Sequence, residues 1–124
     1  MEVIKDEYFD LWLEDGIVRY RYHQGIIIDM DMAEKLVYCR LKMTAGKTYP
    51  GFVDAREVVY AYNGAKKYLA SDIGFTGTSA VAILVKSHVQ RVIANTFIRL
   101  KPAKIPVKLF TEEEKALKWL EAYK

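Results

Sequence analysis

The chain has 124 residues, 52% of them hydrophobic, and a formal net charge of +3. That length suits one compact domain over residues 1–124, with little room for a second; the charge is too small to mark a nucleic-acid binder, and the lone Cys39 excludes an internal disulfide. MEVIKDEYFD carries acids where a signal peptide needs an apolar core, and no apolar run approaches the roughly 20 residues of a membrane span, so a soluble cytoplasmic protein is expected.

Phe9, Leu11 and Leu13 alternate with Tyr8, Asp10, Trp12 and Glu14, the period of a strand with one covered face. Asp15-Gly16 makes a tight turn. Val18, Tyr20 and Tyr22 then alternate with Ile17, Arg19, Arg21 and His23, which predicts a hairpin. The first strand, exposing Tyr8 and Trp12, is a candidate sheet edge at which a second copy could pair.

After Gln24-Gly25, Ile26 to Ile28 lead extended into a helix capped by Asp29 or Asp31 and running to about Thr44. Its inward stripe is Met32, Ala33, Leu36, Val37, Cys39 and Met43, which makes Cys39 a buried, inert thiol. Ala45-Gly46 closes the helix. Tyr49-Pro50-Gly51 reads as a loop before a short strand on Phe52 and Val53, with Asp54 at its end. Arg56 to Tyr62 reads as irregular, after which Asn63 is placed as the cap of a short helix bearing Ala65, Tyr68 and Leu69 inward.

SAVAILVKSHVQRVIANTFIRL, Ser79 to Leu100, is the centre of the pattern. Ala80 to Val85 is an unbroken apolar run rich in β-branched residues, too short for a helix, and needs cover on both faces as a central parallel strand does. Beyond Lys86 the period becomes helical, with Val89, Val92, Ile93, Thr96, Phe97 and Leu100 as the inward stripe. Ser87 and Gln90 have capping-box spacing. A charge at Val92 or Phe97 is expected to unfold the domain. Lys101 to Pro106 connects to a last strand, Val107 to Phe110. Thr111 and Glu114 then suggest a second capping box, and the final helix buries Ala116, Leu117, Trp119, Leu120 and Tyr123.

Strands beginning near Ile17, Gly51, Ala80 and Val107 recur about every thirty residues, the spacing of βαβ units with right-handed crossovers. The fold class is therefore α/β: an N-terminal β-hairpin and four βα units, with a mostly parallel central sheet covered by helices.

The order of elements, with GFVDAREV in the third strand, SAVAILVKSHVQRVIANTFIRL in the fourth unit and KPAKIPVKLFTEEEKALKWLEAYK at the end, resembles the STAS domain. This is the anti-sigma-factor-antagonist-like, or SpoIIAA-like, fold, and small stand-alone bacterial members are the nearest in pattern. The resemblance spans nearly the whole chain and implies a non-enzymatic regulatory or protein-interaction module. In phosphorylated antagonists the loop after the third strand presents a Ser at the start of the second helix. The corresponding stretch here is VVYAYNGAKKYLAS, around Tyr62 and Asn63, so the usual phosphoacceptor is missing.

In an open parallel sheet the loops after the strand ends meet on one edge. That edge should gather Asp54, Arg56, Tyr60, Tyr62, Asn63, Lys86, Ser87, His88 and Arg91 into a rim for a partner or ligand, with Tyr49, Phe52 and Tyr68 near it in sequence. Ser87-His88 could be read as a catalytic pair, but adjacent helical residues do not face each other and capping accounts for Ser87. His23, Cys39 and His88 lack metal-ligand spacing, so no metal or cofactor is expected. Asp54 with Arg56 fits an ion pair, a substrate contact or loop capping.

No acid occurs between Asp72 and Glu112, whereas Lys86, Arg91, Arg99, Lys101, Lys104 and Lys108 do. This is either a solvated basic face or a patch for an anionic partner. Two functions follow: a module binding a protein, self-association into a homodimer being the first to test, or a binding protein for a small amphipathic or anionic, lipid-like ligand. Nucleic acid is not an expected partner.

Overall fold

A computed structural model describes residues 2–102 and 104–124; Ala103, within the expected Lys101 to Pro106 connector, lies outside them. The chain begins with a strand that the sequence reading did not anticipate, β1 (Val3–Lys5), followed by β2 (Phe9–Glu14) and β3 (Ile17–Tyr22). β2 and β3 form the expected hairpin, with Glu14 opposite Ile17. Asp15 and Gly16 both take left-handed backbone angles, φ 55° and 74°, the two-residue geometry whose twist matches that of paired strands. β1 lies antiparallel to β2, Ile4 opposite Leu11. The strand carrying Trp12 is therefore not the open edge, and the expected self-pairing along it is overturned. A short edge strand is one way sheets limit such pairing.

β4 (Ile26–Ile28) leads into α1 (Met30–Thr44). Asp29 caps that helix, its Oδ1 accepting from the Met32 N–H at 2.9 Å. Ala45, at φ 50°, turns the chain out of it. β5 (Tyr49–Asp54) starts three residues before its expected centre and takes in the stretch assigned to a loop. β6 (Val58–Ala61) replaces the expected irregular segment and pairs in parallel with β4.

α2 (Asn63–Leu69), β7 (Thr78–Leu84), α3 (His88–Leu100), β8 (Val107–Phe110), α4 (Glu113–Leu120) and a 3₁₀ turn (Glu121–Tyr123) complete the chain. Two caps differ from expectation. Tyr62 rather than Asn63 precedes α2, without a side-chain capping bond; its N–H is held by the Ile28 carbonyl at 3.0 Å. α4 starts after Glu112, so Thr111 and Glu114 form no box; Glu113 and Glu114 instead occupy its first turn, where acids suit the helix dipole.

The main sheet runs β1-β2-β3-β5-β7-β8, with β3, β5, β7 and β8 parallel, and β4-β6 form a separate two-stranded sheet. Pro50 is tolerated inside β5 because the β5–β7 register shifts there, between Tyr49 and Gly51, where a missing N–H breaks no ladder bond. Gly51 makes room for a neighbour: a Cβ there would lie 3.1 Å from the Tyr20 ring.

β7 is buried on both faces, as expected. Ala80, Ala82 and Leu84 pack with Ile17, Phe52, Ala116 and Leu120 on the α4 side. Val81, Ile83 and Val85 pack with Ala70, Phe75 and Ala94 on the other. α3 is rotated from the expected stripe. Gln90 and Ala94 are its buried residues, with Ile93 and Phe97 half-buried, whereas Val89 and Val92 are 54% and 51% exposed and Leu100 is exposed. The cause is the Gln90 carboxamide, which turns inward to bond backbone at three points. The expectation that a charge at Val92 unfolds the domain is therefore withdrawn, while Phe97 stacks on Phe75 at 5.7 Å.

Candidate functional site

The parallel register brings the ends of β5 and β7 level, Asp54 opposite Leu84, and the Ala55 N–H donates to the Leu84 carbonyl at 3.0 Å. Asp54, Arg56, Lys86, Ser87 and His88 therefore lie at one end of the sheet. Asp54 is buried and its carboxylate is filled by Arg56: Oδ1 accepts from Arg56 N at 3.2 Å and Nε at 3.0 Å, and Oδ2 from Nη2 at 2.8 Å. The bond to Asp54 holds the Arg56 guanidinium above its usual range, and the pair shapes the loop as both an ion pair and a backbone cap. Lys86 reaches Glu57 at 3.1 Å.

Asp54, Arg56, Glu57 and Lys86 line a polar depression with Arg21, His23 and Gln24, whereas Ser87 and His88 stand outside it. The two ring nitrogens of His23 meet the Glu7 carbonyl and Asp10 Oδ1, each at 3.0 Å. Both neighbours are acceptors, and only an imidazolium donates from both nitrogens. The bond to Asp10 accordingly raises the His23 pKa, against a smaller lowering by burial.

Ser87 caps α3 as expected, its Oγ accepting from the Gln90 N–H at 3.3 Å. The reciprocal half of the box is displaced by one residue, since Gln90 Oε1 accepts from the Lys86 N–H at 2.9 Å. Gln90 Nε2 donates to the carbonyls of Arg56 at 2.5 Å and Val58 at 3.3 Å. With Ser87 used as a cap, and exposed His88 adjacent to it on the helix, the two are not arranged as nucleophile and base. Among the described residues no group of His, Cys, Asp and Glu is placed to hold a metal ion, and no helix is long and apolar enough to cross a membrane.

Next to the polar end is an apolar surface. Ile27 and Tyr60 are opposite each other in the β4–β6 register and about half exposed, as are Val59, Tyr62, Val89 and Val92. Gln90 fastens the first turn of α3 to β6, so the two groups belong to one region of the surface. Tyr60 and Tyr62 meet edge to face, centroids 5.2 Å apart. Asn63 and Arg91 are exposed beside them, at the starts of α2 and α3. Three of the aromatics near this stretch in sequence are elsewhere: Tyr49 is at the opposite end of β5, Phe52 packs on the α4 side, and Tyr68 is half-buried against the core.

The sequence reading missed an interior group. Between the sheet and α1, α2 and α3 is a cavity whose lining includes Tyr20, Tyr22, Arg40, Lys66, Thr78 and Gln90 as well as apolar side chains. The buried positions of α1 include Ala33, Leu36, Val37, Arg40 and Thr44, and a charged residue on an apolar stripe was the available signal.

The model of a domain of unknown function, DUF7793, matches residues 11–124. No curated protein matches the chain. A solved structure from Shewanella loihica PV-4, an uncharacterized protein of the DUF3478 family with a SpoIIAA-like fold, is 15% identical, with TM-score 0.63, covering 96% of this chain and 90% of its own. An anti-sigma factor antagonist from Mycobacterium paratuberculosis is 16% identical, with TM-score 0.59, covering 91% and 92%. A protein with unknown function from Arthrobacter sp. FB24, 29% identical over 90% of this chain and 92% of that one, superposes with a TM-score of only 0.35. The first two establish the SpoIIAA-like fold.

Proposed function

The chain belongs to the DUF7793 family, and from that premise we propose that it is a non-enzymatic regulatory or interaction module of the STAS type, working by binding a protein partner in the bacterial cytoplasm. The observation that carries this reading is the exposed apolar surface of Ile27, Val59, Tyr60, Tyr62, Val89 and Val92. Exposed apolar side chains gathered on neighbouring elements, two touching tyrosines among them, have the composition of a protein-binding patch. Of the cations beside it, Arg56 and Lys86 are paired with Asp54 and Glu57 and Arg91 is exposed, so the partner fitted to it has an apolar centre and an acidic group placed to meet Arg91. Asn63 stands at the start of α2, where phosphorylated antagonists present Ser, and this module works without that acceptor.

The test is affinity capture from the host, followed by titration of the purified pair. A protein bound in stoichiometric amount should bind about tenfold or more weakly to a Val59→Arg/Tyr62→Ala variant of unchanged circular dichroism. A second copy of the chain counts as the partner if the same variant abolishes self-association. Unchanged affinity in the variant, or a native mass spectrum holding only a small molecule, overturns the reading.

A further inference from the structure

The cavity beneath α1, α2 and α3 has a volume of about 110 Å³. Its wall is largely apolar, with Leu36, Val53, Ile83 and Phe97 among its residues, yet it contains a guanidinium. Arg40 is 2% exposed. Its Nη1 donates to the Thr76 carbonyl at 2.5 Å and its Nη2 to the Gly74 carbonyl at 2.7 Å. Those carbonyls satisfy two of five donors but bring no countercharge, and among the described residues no carboxylate lies within ion-pair distance. A buried cation without an anion is a costly arrangement.

Tyr20 and Tyr22 line the same space, neighbours on one face of β3. Burial raises the pKa of both. Tyr20 adds to the rise at Tyr22, and the Arg40 charge offsets part of it at Tyr20. Both are therefore neutral phenols, able to donate. Arg40 and two O–H donors on a largely apolar wall, with Lys66 and Gln90 also in the lining, complement a molecule with an apolar body and an anionic oxygen.

We propose that this cavity binds a small carboxylate with a compact apolar body, whose head neutralises Arg40 and accepts hydrogen bonds from Tyr20 and Tyr22. The volume limits the size. An apolar cavity of about 150 Å³ takes up benzene, so the smaller space here suits a ligand of about four or five non-hydrogen atoms. The proposal is independent of the protein-binding surface.

The experiment titrates the full chain with sodium propionate and with 1-propanol, following amide chemical shifts and the melting temperature. Propionate should shift the amides of cavity residues, raise the melting temperature, and bind at least tenfold more tightly than propanol. A Tyr20→Phe/Tyr22→Phe variant, which keeps both rings, should lose about tenfold in propionate affinity, and Arg40→Met, where it folds, at least as much. Val59→Arg should leave propionate binding unchanged, which separates this site from the surface patch. Equal affinity for propionate and propanol, or shifts absent from the cavity residues at saturating propionate, overturns the proposal.

Discussion

The two faces of the central sheet are built differently. On one, α4 lies against Ile17, Phe52, Ala80, Ala82 and Leu84, with Ala116 and Leu120 wholly buried. Alanines on both sides let helix and strand approach closely. On the other, three helices and a small accessory sheet cover larger residues, leave a cavity, and bury Arg40 and Gln90. A close-packed face of this kind contributes stability, because any lost volume is felt. The other face gives up some packing to hold polar groups in apolar surroundings, the composition of a site.

The largest expected effect tests the packed face. Leu120→Ala should destabilise by about 2–5 kcal/mol, through lost burial and the void left behind, read as a lower urea midpoint. A matched pair then sets the faces against each other. Ala116→Leu should cost about 1–3 kcal/mol by overpacking, whereas Ala94→Leu, which adds the same atoms beside the cavity, should be neutral or stabilising in the same titration. Equal losses would show that the faces do not differ in spare volume. The smallest effect is expected at Val92→Glu, within about 0.5 kcal/mol by thermal melting, because the side chain is half exposed. A larger loss would place Val92 back in the core.

Much of this architecture was legible because single residues fixed it. Asp15-Gly16 announced the hairpin, the run Ala80 to Val85 the central strand, and Ser87 the start of α3. β1 and β6 were not legible, since three and four residues carry no period, and their pairing with β2 and β4 is a tertiary fact. The rotation of α3 was hidden for another reason. Val89, Val92, Ile93, Phe97 and Leu100 offer more apolar width than the sheet can cover, and a glutamine decides which part goes inside. At the rim, Asp54, Lys86, Ser87 and His88 could be placed together because parallel strands end level. Tyr49 and Phe52 could not be excluded, since nearness along the chain says nothing about which end or face of a strand a ring occupies.

Gln90 joins more than it buries. Its carboxamide ties the segment before α3 to two carbonyls of the chain entering and forming β6, and the same helix walls the cavity through Ile93, Ala94 and Phe97. A crossbrace of this kind seats α3 on two supports, the main sheet beneath it and the accessory strand beside its first turn.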